Sequence, residues 1–382
     1  MKHRLALALL AASLATAMSS PAPALKFAGT PKPLFRTLPN NLKWHKLPPA
    51  GSPQLPQWNG SFTDNLGQTI TYTMPGTDPA ASNAPTTFPV VIVPIKMVYG
   101  ALNGKMTFDP LAAKLPNGET LIHNYLNSPL FRSNVRFIQG GTDVGKTQYI
   151  DAFQRANFWS FVKKNRNYHV LLGSPTVLPE QTIRVKAPLG TVMDNPFGTG
   201  TCSASNRSSC VGTMEIDVFD RYLQQFMRSF AEINPSVLPL FLTYDVYLTE
   251  GTSEQVCCIG GYHSATGSQP RGQTYAYATY VDLPGVFSQD VSAWSHEIGE
   301  WMDDPFVDNS VNCADNNAME DGDPLENNPN SGAFPYNANG FTYNLQSLVF
   351  LGYFGAPRDI SLHKWLSFQN DEQSVCPGQG TP

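Results

Sequence analysis

A histidine and two glutamates lie close together at positions 296–300 of this 382-residue chain. His296 and Glu300 are four residues apart, and Glu297 directly follows the histidine. Residues four apart lie on the same face of an α-helix, so the imidazole and the carboxylate could bind one metal ion while Glu297 reaches a water beside it. The spacing is that of the His-Glu-x-x-His helix of zinc hydrolases, with glutamate in place of the second histidine.

The residues around this motif predict the helix that positions it. Asp290 is a candidate N-cap, and Pro305 should end the helix at or near Asp304. Apolar residues at helical spacing form a stripe for the core: Val291, Trp294, Ile298 and Trp301. His296 and Glu300 lie on the side of the helix away from this stripe. We therefore expect these two side chains to face a cleft and not the core.

Zinc in a hydrolase needs at least three protein ligands and an open position for water. The polar connection that begins at Pro305 could bring a third carboxylate back to the helix. Glu320 is the preferred candidate, followed by Asp323 and then Asp304. In this arrangement zinc polarises the scissile carbonyl, and Glu297 acts as the general base that takes a proton from the attacking water.

A hydrolase of this kind also needs a donor for the oxyanion and a surface for the substrate. His263, in a predicted Gly-Tyr-His turn, is one candidate donor, and Tyr275 and Tyr277 are others. The tyrosines lie in a strand predicted over residues 273–282. We expect the edge of that strand to accept an extended peptide by strand addition.

The chain resembles a group of secreted, largely uncharacterised bacterial proteins that are related to zincin metallopeptidases. The resemblance is carried by His-Glu-x-x-Glu followed by Asp-Pro, and then by Glu-x-Gly-Asp at 320–323, and it covers residues 261–354. Plant secreted phosphate-induced proteins show a more distant likeness through a similar helix. The resemblance implies a zincin-like core with His296 and Glu300 as zinc ligands and Glu297 as the base. Glu300 departs from the family's histidine and makes the predicted site harder and more anionic.

Residues 140–147 match the phosphate-loop pattern G-x-x-x-x-G-K-T letter for letter. The strand predicted before them contains Arg136 and Gln139, whereas a buried parallel strand is almost entirely apolar. In addition, no apolar run that ends in aspartate stands out as a partner for magnesium. We therefore expect the glycines to shape a turn into a following helix and not to bind a nucleotide.

Two other classes of function stay open on the sequence. A glycoside hydrolase would use two facing carboxylates from the motif helix, with Trp294 and Trp301 stacked on the sugar. A carbohydrate-binding or adhesion protein would use the acidic region 303–323 to hold a structural Ca²⁺, although the spacing is not that of an EF-hand. Loss of activity on chelation would separate the zinc hydrolase from both alternatives.

The amino-terminal residues predict export. Lys2 and Arg4 precede an apolar run over 5–14 and then small residues, so we place a secretory signal peptide over residues 1–24. The apolar run is too short to span a bilayer, and no later stretch approaches the roughly 20 apolar residues of a transmembrane helix. We expect a mature protein that is secreted or periplasmic and has no membrane partner.

The net charge limits the possible binding partners, and the cysteines indicate the cellular compartment. Cleavage after residue 24 would leave 23 Lys and Arg against 30 Asp and Glu, a net charge of −7. This balance argues against nucleic acid and anionic membranes as partners. The peptide or protein expected as substrate follows instead from the zinc-hydrolase motif and the resemblance. Six cysteines in an exported chain indicate disulfides. Cys202 and Cys210 bracket a polar loop and predict a local bridge, whereas the adjacent Cys257 and Cys258 cannot be assigned from sequence.

The order of predicted elements favours an α+β hydrolase core with a β-rich part before it. The resemblance implies that this core is zincin-like and contains the active-site helix. An extended arm or pro-segment is predicted over 25–59, because the residues there show no steady period. The β-rich amino-terminal part is predicted over 60–139 and the zincin-like catalytic part over 140–382. A doubly wound sheet is not expected, because strands and helices do not alternate regularly.

Overall fold

The computed structural model describes residues 32–38, 52–101, 104–251, 256–313 and 317–376. The signal peptide predicted over 1–24 lies outside these ranges, and so does most of the predicted arm. The parts of the arm that are described are residues 32–38, which contain the first strand, and residues 52–59, which include the start of the second.

Five α-helices occur among the described residues, and the longest are α4 with 14 residues and α5 with 12. The helices are α1 (Leu121–Leu126), α2 (Tyr149–Asn157), α3 (Trp159–Val162), α4 (Ile216–Ser229) and α5 (Ser292–Asp303). The strands are β1 (Leu34–Thr37), β2 (Gln57–Thr63), β3 (Thr69–Pro75), β4 (Pro85–Phe88), β5 (Val90–Ala101), β6 (Gly104–Phe108), β7 (Val135–Gln139), β8 (Thr142–Thr147), β9 (His169–Leu172), β10 (Thr176–Val177), β11 (Gln181–Val185), β12 (Val192–Asp194), β13 (Cys210–Glu215), β14 (Leu238–Tyr244), β15 (Val246–Glu250), β16 (Val256–Thr266), β17 (Gln273–Tyr280), β18 (Ala333–Ala338) and β19 (Phe341–Gln346).

Eleven of these strands form one mixed sheet, with the central order β10-β5-β14-β17-β16-β15-β13-β12. β5, β14 and β17 run parallel to one another, whereas β16 runs antiparallel to β17. β14 and β17 are almost entirely buried and rich in aromatic and β-branched residues, which pack well on a pleated surface. Because β5 lies beside β14, the predicted amino-terminal and catalytic parts share this sheet.

The predicted zincin-like α+β class is wrong. The described residues are 38% strand and 19% helix, and the large mixed sheet is curled, whereas a zincin core is rich in helices. Part of the reason lies in β16, whose glycines and adjacent cysteines carry little strand propensity and did not predict a strand. In addition, the apolar run over 238–250 forms two strands, separated at Asp245, whose φ is 51°. The His-Glu-x-x-Glu helix is therefore part of a sheet-dominated architecture.

Helices α5 and α4 pack on opposite faces of the sheet. Successive residues of a strand point to opposite faces, and along β17 Ala276 and Ala278 belong to the core cluster that contains α5. Tyr275 and Tyr277 belong to the other cluster, which contains α4. The Tyr275 hydroxyl donates to Asp220 Oδ1 on α4 at 2.6 Å. These two tyrosines therefore lie on the far face of the sheet from the motif and are not oxyanion donors there.

The phosphate-loop letters at 140–147 form a β-hairpin. β7 and β8 pair antiparallel, and the turn uses Gly140 and Gly141 at φ values of 52° and 80°, where glycine is favoured. Lys146 lies within β8 and pairs with Arg136 of β7. A phosphate loop instead leads from a strand into a helix N-terminus that holds the phosphate. The glycines shape a turn, as expected, but it joins two strands.

The six cysteines are paired in three disulfides. Cys202–Cys210 is the local bridge that the sequence predicts, and the others are Cys257–Cys258 and Cys313–Cys376. Disulfides of this number are compatible with an extracellular location. Within the described ranges, no helix combines the length and the apolar character that a membrane span requires.

Asp290 connects the start of α5 to β19. The helix N-cap is Val291, so the N-cap predicted at Asp290 is wrong by one residue. The Asp290 carboxylate instead accepts hydrogen bonds from the backbone N–H and the side-chain amide of Asn344, at 2.8 and 2.6 Å. Burial raises the pKa of Asp290 to about 7. This buried carboxyl therefore fixes the position of the motif helix against β19.

We expect Asp290→Asn to gain stability relative to the wild type as the pH rises from about 4 to about 7. The carboxyl has a pKa of 3.8 in the unfolded chain and about 7 in the fold, so its ionisation favours unfolding across this window. Urea denaturation should show the difference in unfolding free energy shifting by about 3 kcal/mol towards the variant between about pH 4.5 and about pH 7.5. A difference that is constant with pH would contradict this prediction.

Candidate metal centre

The motif helix α5 is buried along its whole length, including the motif residues. The exposed fraction is 0% for His296 and Glu297 and 2% for Glu300. β16 and β17 pack against one side of the helix, and β19 together with the connection around Gly322 covers the side of His296. The expectation that these residues face an open cleft is therefore wrong, because later parts of the chain fold over the motif.

His296 has one ring nitrogen engaged and the other directed at carboxylates. Its Nδ1 hydrogen-bonds to Gln346 Oε1, and the amide of Gln346 donates in turn to the Gly322 carbonyl at 3.2 Å. An acceptor at Nδ1 places the proton there and leaves the lone pair of a neutral ring on Nε2. That Nε2 atom lies 2.8 Å from Glu300 Oε1 and 3.5 Å from Asp323 Oδ1. The imidazole is thus oriented as metal-ligating histidines usually are.

His263 is oriented in the same way from the sheet. It lies in the middle of β16 and not in a turn, and its Nε2 donates to the backbone carbonyl of Asp304 at 3.0 Å. The remaining nitrogen, Nδ1, lies 3.5 Å from Glu300 Oε2, 3.7 Å from Glu320 Oε2 and 3.8 Å from Glu297 Oε2. Because Nε2 carries the proton, Nδ1 of the neutral ring is an acceptor. His263 therefore suits a metal ligand better than an oxyanion donor.

Glu300 lies between the two histidines, with one carboxylate oxygen directed at each. Potential ligand atoms within 4.8 Å of one another form two groups, and Glu300 belongs to both. One group is His263, Glu300 and Glu320, and the other is His296, Glu297 and Glu300. All of these side chains are buried, so the described residues contain a His/Glu cluster that could hold a metal ion.

Several polar atoms of the cluster lack a hydrogen-bond partner among the described residues. These atoms are His263 Nδ1, His296 Nε2, and both carboxylate oxygens of Glu297 and of Glu320. A buried polar group without a partner costs about 1–3 kcal/mol, and a buried charge costs more. Native proteins rarely leave so many such atoms together. Their clustering around Glu300 is the strongest structural indication of a bound cation.

Burial and charge set the ionisation of the cluster. Burial raises the pKa of Glu297 to about 8 and that of Glu320 well above its usual value. Burial would also raise the pKa of Glu300, but the neighbouring imidazoles, His296 foremost, hold it below the usual value. Burial would lower the pKa of both imidazoles, yet the carboxylates around them keep it raised. A bound cation would favour the ionised form of every carboxyl in the cluster.

Two glycines make room for the motif side chains. A Cβ atom on Gly261 of β16 would lie 2.9 Å from Cδ of Glu297. A Cβ atom on Gly322 would lie 2.8 Å from Cγ of His296. Both distances are shorter than carbon atoms approach without bonding, so any larger residue would push the strand or the connection away from α5.

The three predicted third ligands take different positions. Glu320 lies in a group of potential ligands with His263 and Glu300. Asp304 lies in neither group, and its Oδ1 accepts the backbone N–H groups of residues 308 and 309, which shapes the turn after α5. Asp323 also lies outside both groups, although its carboxylate is near His296.

Sequence reasoning did not find several residues around the centre. Gln346 orients His296 from β19, and Phe35 stacks on the His296 ring. Asp321 lies beside α5, and both of its buried carboxylate oxygens lack a hydrogen-bond partner among the described residues. Gln346 is 50 residues from His296 and Phe35 is much further, so no periodic pattern connects them. The Glu-x-Gly-Asp letters at 320–323 were the one local signal for this region.

No protein-family model matches the chain, and no curated protein or solved structure matches it. A His/Glu cluster by itself is not diagnostic of a zincin, so the resemblance to secreted zincin-related proteins stays a prediction. What the described residues do contain is a buried group of imidazoles and carboxylates that could hold a metal ion of unspecified identity.

Proposed function

We propose that this chain is an exported zinc-dependent hydrolase that cleaves peptide bonds. The observation that carries the proposal is a pair of buried groups of potential ligands that share Glu300, in which one nitrogen of each histidine and the oxygens of Glu297 and Glu320 lack hydrogen-bond partners among the described residues. A metal ion satisfies these atoms together, whereas apolar packing or isolated ion pairs would leave some of them unpaired.

We propose His263 Nδ1, His296 Nε2 and the carboxylate of Glu300 as the ligands, because Glu300 belongs to both groups of potential ligands and directs one oxygen at each histidine. Each imidazole has its other nitrogen held by an oxygen acceptor, and each points its lone pair towards Glu300. Two histidines and one glutamate are a known ligand set of catalytic zinc. Glu320, which is grouped with His263 and Glu300, is the proposed additional carboxylate at this centre.

The histidines favour zinc over calcium. Calcium takes oxygen ligands almost exclusively, whereas imidazole suits zinc and other transition metals. The predicted calcium-holding role of residues 303–323 is also weakened by Asp304, whose Oδ1 atom is used in the turn after α5. The glycoside hydrolase remains an untested alternative that no contact in the cluster specifically favours.

Glu297 is the proposed general base. It directly follows a ligand on α5, and both of its oxygens are buried without a hydrogen-bond partner among the described residues. A zinc ion bound here supplies Lewis acidity and lowers the pKa of a bound water. Glu297 then takes a proton at its carboxylate and returns it to the leaving amine. Gly261 leaves the space that this side chain needs beside β16.

We expect the purified full-length protein to bind about one zinc ion per chain, measured by elemental analysis after dialysis against metal-free buffer. A chelator should remove the ion and lower the melting temperature, because a ligand at about 1,000 times its Kd stabilises the folded state by about 4 kcal/mol. Added zinc should restore both values. A protein that takes up no transition metal after exposure to zinc would overturn the proposal.

A further inference from the structure

Strand β1 occupies the outer edge of β16, the strand that carries His263. Ile259 of β16 pairs with Leu248 of β15 and also with Leu34 of β1. Residues 261–263 likewise pair with both β17 and β1. Because a strand has only two edges, β15 and β17 share one edge of β16, and β1 lies along the other. The peptide-binding edge predicted on β17 is not open, since β17 lies between β14 and β16.

The contacts of this segment continue beyond the four residues of β1. The backbone of Lys32 exchanges two hydrogen bonds with Cys257 and Cys258, at 3.1 and 2.8 Å. At the other end, the Ser264 hydroxyl donates to the Leu38 carbonyl at 2.8 Å. Residues 32–38 therefore follow β16 in an extended conformation past His263. Such an edge without a partner strand would be a template for another extended chain.

Phe35 is the residue of this segment that covers the proposed metal centre. Its ring stacks on the His296 imidazole with a centroid distance of 3.5 Å and an interplanar angle of 19°. The side chain is 3% exposed, and its backbone N–H donates to Glu326 Oε1 at 2.7 Å. A small cavity next to the ring is lined also by Ser292 and Gln346. An aromatic side chain of an extended strand thus seals one side of the centre.

We propose that residues 32–38 are an internal ligand of a peptide-binding edge on β16. In their absence this edge takes an extended peptide whose backbone pairs with residues 257–264 and whose aromatic side chain lies over His296. The segment blocks the centre while it is bound, so the chain as folded here is self-inhibited. The catalytic part of this inference rests on the proposed function, because the inference names the substrate class and the regulation of that same centre.

Competition within one chain makes the inference testable in the full-length protein. A tethered segment acts at an effective concentration in the millimolar range, so a separate peptide binds only when the segment is weakened. Phe35→Ala removes the buried ring and leaves the backbone of β1 intact. Arg36→Glu is a second variant that leaves the apolar core unchanged and replaces the ion pair of Arg36 with Glu250 by a repulsion.

The probe is a fluorescent peptide that copies residues 32–38, and binding is followed by anisotropy. We expect Phe35→Ala to bind it at least about tenfold more tightly than the wild type does, and Arg36→Glu to bind it about two- to fivefold more tightly, because the Arg36–Glu250 pair is partly exposed. The same peptide with alanine at the position of Phe35 should bind at least about tenfold more weakly to both variants. Phe62→Ala, which removes a buried phenylalanine from β2 in a different sheet, should bind the probe as weakly as the wild type.

Equal binding by wild type and both variants would overturn the inference, and so would equal affinity for the two peptides. The measurement is repeated on protein freed of metal by a chelator, because strand pairing to β16 needs no ion. Peptide binding by a protein that never takes up zinc would contradict the proposed function but support the peptide-binding edge on β16. Zinc uptake without peptide binding in either variant would contradict the peptide-binding edge but support the proposed metal centre.

Discussion

Replacement of Glu297 by glutamine is expected to lower kcat/KM for peptide hydrolysis by about 10²- to 10⁴-fold, the usual contribution of a general base. Glutamine has the shape of glutamate but cannot take a proton, and His263, His296 and Glu300 are left unchanged as ligands. The zinc content should therefore equal that of the wild type. Hydrolysis of a fluorescence-quenched peptide library and elemental analysis of the same sample measure both quantities.

Asp303→Asn is the matched control for an acid-to-amide change on α5. Asp303 is as buried as Glu297, but its Oδ1 atom accepts a hydrogen bond from the Gln154 amide at 2.5 Å, and it belongs to neither group of potential ligands. This variant should keep its turnover within a few-fold of the wild type. Full turnover in Glu297→Gln would contradict the role of Glu297 as the general base. Loss of zinc in that variant would instead indicate that Glu297 is a zinc ligand.

Replacement of His296 by alanine is expected to weaken zinc binding by at least about 10³-fold, because a catalytic site of three protein ligands loses one of them. Competition with a chromophoric chelator gives the Kd of the variant and of the wild type. The metal-dependent rise in melting temperature should disappear in parallel, since the added stability depends on the ratio of zinc concentration to Kd.

Two further variants turn this result into a graded series. Gln346→Ala removes the acceptor that orients His296 and should weaken zinc binding by about 10- to 100-fold. His169→Ala removes a histidine whose Nδ1 lies 2.7 Å from Asp151 Oδ2, outside both groups of potential ligands, and should leave the Kd unchanged. Zinc binding that is equally strong in His296→Ala and in the wild type would show that the ion binds elsewhere.

The motif helix illustrates what local pattern predicts well. Its apolar stripe and the stop at Pro305 predicted a helix that ends at Asp304, and α5 spans Ser292–Asp303 with Asp304 as its C-cap. The strand predicted before the phosphate-loop letters is also present, as β7. Both follow from residues that are neighbours in the chain, because backbone hydrogen bonding and side-chain periodicity act over one or two turns. The same pattern could not show that the polar side of α5 would be covered.

The composition of the centre, in contrast, depends on distant parts of the chain. The sequence predicted His263 as an oxyanion donor in a turn and not as a metal ligand, and only the pairing of this region with β17 and β1 makes it a strand. Strand alternation then directs His263 and Gly261 towards α5. The expected donors Tyr275 and Tyr277 were excluded by the same alternation, which places them on the other face.

The amino-acid sequence alone was sufficient to identify His296, Glu297 and Glu300 as one unit, because three residues on one helical turn keep their relative positions in any fold that contains the helix. It could not specify the sheet-rich architecture, the position of His263 in a strand beside Glu300 or the segment that lies over His296. These depend on which strands pair across hundreds of residues, and the free energy of that pairing comes from burial of whole surfaces and not from local propensity. Tertiary packing alone therefore joined β16, the residue 320 region and Phe35 around the helix.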